Sequence, residues 1–131
     1  MLVLAIRTDN PEAEIGLFDG QKHLHTEKWH AHRELSATLH TKVAELLKGE
    51  NKTLQDLQGI VCFEGPGSFT GLRIGLTVAN ALAYGLDVPI VATTNENWAR
   101  HGIDRLQAGE DDRIALPHYG ADVHITLPRQ A

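Results

Sequence analysis

One cysteine, five prolines and an aromatic content of 5% leave this 131-residue chain with few of the usual anchors. With Cys62 alone, no intramolecular disulfide can form. Its place in the apolar run Gly59–Phe63 makes it core filler, and a reducing cytoplasm is the compartment this implies. Lysine and arginine total 12 against 17 acids, a net charge of −5, with no basic cluster. A chain that grips RNA or DNA unaided shows a basic face, so any nucleic-acid role must run through a partner. No apolar run approaches the roughly 20 residues needed to span a bilayer. The N-terminus also lacks the basic flank of a signal peptide. Repeats and low-complexity linkers are missing too, and the length suits one domain with a real core.

What is present is an ordered alternation of apolar runs. Leu2 to Ile6 is continuous and predicts a strand buried on both faces. Glu14 to Phe18 follows, then the hairpin signal Asp19-Gly20, then a weakly alternating run from Gln21 to Trp29. These predict a three-stranded antiparallel meander. From Ala31 to Lys48, Leu35, Leu39, Val43, Leu46 and Leu47 recur at helical spacing, with Gly49 as the stop. A short turn, Thr53 to Leu57, leads to a fourth strand, Ile60 to Phe63. A second helix runs from Gly71 to about Gly85. Val88 to Ala92, with Pro89 near its start, suits an edge strand. Asn95 is placed to cap a third helix reaching about Ala108. Strands and helices in this order predict a ribonuclease-H-like α/β fold, a five-stranded mixed sheet with about three helices. Residues 1–108 form this domain, and 109–131, without periodicity, read as an extended tail lying on something.

The most informative stretch is EGPGSFTGLRIG, Glu64 to Gly75, between the fourth strand and the second helix. A Gly-rich turn there gathers free backbone N–H groups at the positive end of a helix dipole, which suits an anion or a closely packed backbone. It is neither a Walker loop nor the dinucleotide fingerprint. In the plainer reading Ser68 or Thr70 simply caps the helix. Within that helix Gly71, Gly75, Ala79 and Ala83 fall every four residues on one face, open to the chain's own sheet or to another subunit. His23, His25, His30 and His32 lie close in sequence, but no acid or thiol joins them at metal-ligand spacing, and no metal site is assigned. No serine lies in a nucleophile elbow and no acid pair stands out, so no catalytic residue is assigned.

The segment Gly65 to Gly75 resembles the signature of the TsaB (YeaZ) family, subunits of the machinery that makes threonylcarbamoyladenosine on tRNA. Similarity extends to Leu2–Thr8, Leu54–Ile60 and Asn80–Ile90, so it covers about residues 1 to 100. The resemblance implies an actin-like ATPase (ASKHA) fold and a non-catalytic, cytoplasmic subunit. It implies pairing with a catalytic TsaD-like subunit and a TsaE-like ATPase, or with a second copy of itself, and contact with tRNA only through the complex. It further implies that the first two helices build the subunit interface: Leu35, Leu39 and Val43 on one, Gly71, Leu72, Gly75, Leu76, Ala79, Leu82 and Ala83 on the other. No cofactor is expected for the isolated chain. ATP or ADP would meet the loop Gly65, Pro66, Gly67, Ser68, Thr70, Gly71 and Arg73 only at a shared interface. Two departures stand out. Arg7 takes the place of an acid that organises metal and phosphates in the wider superfamily, and the family's second α/β domain is missing. The rival expectation is a small ATP-binding or phosphotransfer enzyme using the Gly65–Gly71 turn, with Arg7 as a phosphate-contacting cation.

Overall fold

The computed structural model describes residues 1–31, 34–66 and 70–117. Its sheet has the order β3-β2-β1-β4-β5. β1 (Leu2–Arg7) is central, antiparallel to β2 (Glu12–Asp19) and parallel to β4 (Gly59–Phe63). β3 (Lys22–His30) pairs with β2 on one side, and β5 (Ile90–Thr93) pairs parallel to β4 on the other. The expected meander and the edge position of β5 are both present. At the β2–β3 turn, Gly20 takes a φ of +61°, a conformation glycine adopts without a steric penalty. Leu2 to Ile6 and all of β4 are buried, as strands covered on both faces must be.

Three helices complete the layers. α1 (Leu35–Gly49) and α2 (Thr70–Leu86) pack on each other and on the sheet, while α3 (Trp98–Gln107) packs on β4 and β5. α1 buries Leu35, Leu39, Val43, Leu46 and Leu47, the set its periodicity picks out. α3 sits close to β4: a Cβ at Gly59 would lie 2.9 Å from Leu106, and one at Gly102 only 2.3 Å from Val61.

Several boundaries differ from expectation for local reasons. α2 runs on past Gly85 to Leu86, because Asp87 takes the left-handed turn at φ +58° and Val88 N–H donates to Ala83 O at 3.0 Å. β5 then starts two residues late, at Ile90. Asn95 does not cap α3. Its φ is +77°, outside the extended region a cap occupies, and Asn97 precedes the helix instead. α1 begins at Leu35 rather than Ala31, whose N–H donates to Pro11 O at 2.8 Å.

After α3 the described chain, through Pro117, lies along β5 and back over α2. Ile90 N–H donates to the Asp111 carboxylate at 3.1 Å, and Ala92 N–H to that of Asp112 at 2.8 Å. The Asn80 amide grips both backbone groups of Ala115, at 2.8 and 2.9 Å. The Arg105 guanidinium binds Glu110, Asp112 and Ala92 O. Partial burial works to raise the Asp112 carboxyl pKa. The Arg105 hydrogen bond, the Ala92 N–H and the guanidinium charge outweigh it and hold the group below its ordinary value. A depressed carboxylate stabilises the fold fully above its unfolded pKa and loses that contribution as pH falls through the folded value. Acid titration should therefore free this segment below the ordinary carboxylate range, seen as a loss of protection at the Ala92 amide relative to an unstructured amide at the same pH, with that protection constant between pH 5 and 8. Residues 118–131, including His118-Tyr119-Gly120, lie outside the described residues.

Candidate functional site

The strand order reverses at β1, whose neighbours β2 and β4 diverge in sequence and direction. In open α/β sheets ligands bind at such a switch point, outside the carboxyl ends of the parallel strands. Here that place is formed by Arg7 to Asn10 after β1, Glu64 to Pro66 after β4, and the start of α2.

Gly65 is buried with φ +115°, which confines the position to glycine, and Pro66 and Thr70 are exposed. Gly71 is buried and its carbonyl accepts the Thr8 hydroxyl at 2.7 Å, tying α2 to the end of β1. Arg73 is exposed on the first turn. Gly67 and Ser68 lie outside the described residues.

Arg7 does not stand as a free cation. Its Nε and Nη2 clamp the Asp9 carboxylate at 2.7 and 3.1 Å, and its guanidinium lies 3.9 Å over the Phe63 ring. Phe63 in turn meets Trp98 edge-on at 6.0 Å. A guanidinium held in a bidentate pair and stacked on an aromatic face is neutralised and fixed in place. The cation of the phosphotransfer reading is thus already matched by a carboxylate. Sequence reasoning passed over Asp9; its spacing of two from Arg7, just beyond a strand, was the available signal. Cys62 is inert: burial, then the Glu64 carboxylate, push its thiol pKa far up.

The helix residues expected at a partner interface turn inward. Leu35, Leu39, Val43, Gly71, Leu72, Gly75, Leu76, Ala79 and Ala83 are buried within the chain and Leu82 is half-buried. The cause is the close approach at Gly75, where an added Cβ would lie 2.0 Å from Thr8 Oγ1. The small-residue stripe brings α2 onto the chain's own β1. The opposite, exposed stripes are Ala37, Thr41 and Ala44 on α1, and Thr77, Ala81 and Tyr84 on α2. Tyr84 is 90% exposed. The β3 histidines have separate partners, His23 on Thr26 and His25 at 3.6 Å from Glu27, and His32 lies outside the described residues. Trp98 is a buried anchor and Trp29 a half-buried one. No helix among the described residues is long and apolar enough to cross a membrane.

Comparison with known proteins agrees with this geometry. The family model described as TsaD, tRNA N6-adenosine threonylcarbamoyltransferase, matches residues 25–96. The tRNA threonylcarbamoyladenosine biosynthesis protein TsaB of Escherichia coli (strain K12) is 31% identical over 121 residues, covering 87% of this chain and 52% of that protein. The TsaB of Bacillus subtilis (strain 168) is 38% identical over 108 residues, covering 78% and 45%. The chain spans about half the length of the curated relatives it matches. Among solved structures, YeaZ from Pseudomonas aeruginosa superposes with a TM-score of 0.65 at 28% identity, covering 72% of this chain and 44% of that one. With the family model taking in more than half of the sequence, TsaB proteins 31% and 38% identical to it and YeaZ superposing on its sheet, this chain belongs to the TsaB (YeaZ) family and has its ribonuclease-H-like, actin-like fold.

Proposed function

We propose that this chain is a docking subunit in the formation of threonylcarbamoyladenosine on tRNA. It supplies no catalytic group and pairs with a TsaD-like catalytic subunit through the outward stripes of α1 and α2. A TsaE-like ATPase joins the same assembly, and tRNA is met only through it. Any ATP or ADP is held between the Gly65–Gly71 turn and the partner.

The observation that carries this reading is the character of those outward stripes. Ala37, Thr41, Ala44, Thr77 and Ala81 are small and uncharged, and Tyr84 projects almost wholly into solvent. Small uncharged side chains that let a backbone approach, with an exposed aromatic at their end beside Asp87, Asp111 and Arg113, suit an interface with a charged rim. At the crevice, the Arg7–Asp9 clamp supports a structural role for a position where an ATPase needs an unpaired acid.

The test is co-purification of the full chain with its cognate TsaD-like protein. Wild type is expected to form a stoichiometric complex at micromolar concentrations. Ala81→Arg, which buries a charge in the docking stripe, should weaken it at least about tenfold. Failure of wild type to bind, or equal binding by Ala81→Arg, would overturn the proposal. If Ala81→Arg instead splits a homodimer and no TsaD-like partner binds, the surface serves a second copy of this chain.

A further inference from the structure

The outer edge of β5 is closed by three side chains and one backbone N–H rather than by a strand. In the parallel β4–β5 ladder, Pro89 O accepts from Ile60 N–H and Thr93 O from Glu64 N–H, so residues 89, 91 and 93 face β4. Ile90 and Ala92 therefore face outward, with four backbone groups to satisfy. All four are met. Ile90 N–H goes to Asp111 Oδ1 at 3.1 Å, and Ile90 O takes Asp112 N–H at 2.8 Å. Ala92 N–H goes to Asp112 Oδ2 at 2.8 Å, and Ala92 O takes Arg105 Nη1 at 3.0 Å. Arg105 latches the same segment through Glu110 at 2.7 Å, and Asn80 pins its far end at Ala115.

From this arrangement we infer that residues 110–114 are a detachable strap over the β5 edge, anchored at Ala115, and that release of the strap opens this edge to strand addition by a second copy of the chain. An unpaired edge is a template for another strand. The outward groups are self-complementary. In an antiparallel β5–β5 pair about a two-fold axis, Ile90 of one copy faces Ala92 of the other, and four hydrogen bonds between the copies satisfy all eight outward groups, which in each separate copy take three bonds from the strap and one from Arg105. Residues 110–114 are exposed, so they can lift while Ala115, buried in the core and held by Asn80, stays in place. The β5 edge is a different surface from the outward stripes of α1 and α2, although Tyr84 and Asp111 line one cleft, and the inference stands without those stripes.

The test uses the full chain with Asp111→Ala and Asp112→Ala together. Amide exchange at Ile90 and Ala92 is expected to rise at least about tenfold while β1 amides are unchanged. Sedimentation velocity should show an association step that wild type lacks. Adding Ala92→Pro, which removes one outward donor, should abolish that step. Unchanged exchange at Ile90 and Ala92, no new association, or association indifferent to Ala92→Pro each overturns the inference. If the double variant also loses protection in β1, Arg105→Gln, which leaves the carboxylates in place, is judged by the same three readouts.

Discussion

Gly75→Leu should leave this chain largely unfolded at room temperature, and even Gly75→Ala should lower its melting point by about 10 °C. A Cβ at this position would lie 2.0 Å from Thr8 Oγ1 and 3.0 Å from both Thr8 Cβ and Cγ2. Thr8 cannot give way easily. It is 2% exposed, its hydroxyl is bound to Gly71 O at 2.7 Å, and it follows directly on β1, which is paired on both sides. Overpacking of this kind costs about 1–3 kcal/mol and sometimes more, against a total stability of roughly 5–15 kcal/mol. Leucine adds three further heavy atoms to the clash. Thermal melts followed by circular dichroism measure the effect. Thr8→Ala removes the nearest atom and should recover part of the loss, so the double variant falls short of the sum of the two singles. A Gly75→Ala melt indistinguishable from wild type would remove Thr8 as the fixed point between α2 and β1. Docking studies that substitute Gly75 would therefore report folding, and Ala81 is the informative position.

Gly102→Ala is the second large effect, and its sign runs against helix propensity. In an exposed helix interior, alanine for glycine gains about 1 kcal/mol. At Gly102 the new methyl would stand 2.3 and 2.6 Å from the two Val61 γ-carbons and 3.0 Å from its Cβ. Val61 is fully buried in β4, and a β-branched side chain has no second easy rotamer there. A net loss of about 2 kcal/mol is expected once the propensity gain is subtracted. Gly85 supplies the control. It is an exposed α2 residue with nothing within 4 Å of a new Cβ, so Gly85→Ala should stabilise by about 0.5–1 kcal/mol. Urea unfolding, with midpoints compared at equal slope, measures both substitutions. If the two alanines shift the midpoint the same way, the contact at Val61 carries no weight.

These glycines show where sequence reading reaches and where it stops. The strand and helix order was legible because hydrophobic period changes cleanly between Leu2–Arg7, Leu35–Gly49 and Gly59–Phe63. The inward residues of α1 were legible for the same reason. The small-residue face of α2 was visible as a pattern, but a stripe of small side chains admits any backbone. Only the hydrogen bond from Thr8, distant in sequence, identifies the chain's own β1 as the occupant. The start of α3 at Trp98 was missed because Asn95 takes a left-handed conformation that its residue type permits without requiring. The strap was invisible because Asp111 and Asp112 act through carboxylates on a strand edge, an arrangement with no period. Arg7 was legible as an anomaly; its neutralisation by Asp9 needed geometry.

The stacking of Arg7, Phe63 and Trp98 has an optical consequence. The Phe63 ring lies between the guanidinium, 3.9 Å above it, and the buried indole, 6.0 Å away at its edge. A ligand that draws Arg7 from Asp9 uncovers Phe63 and alters the polarity around that indole. Trp29, half-buried near Lys42 across the sheet on β3, contributes a steady background. The protein thus contains a native fluorophore beside its own crevice, so any displacement of Arg7 from Asp9 is open to observation by tryptophan emission without any added label.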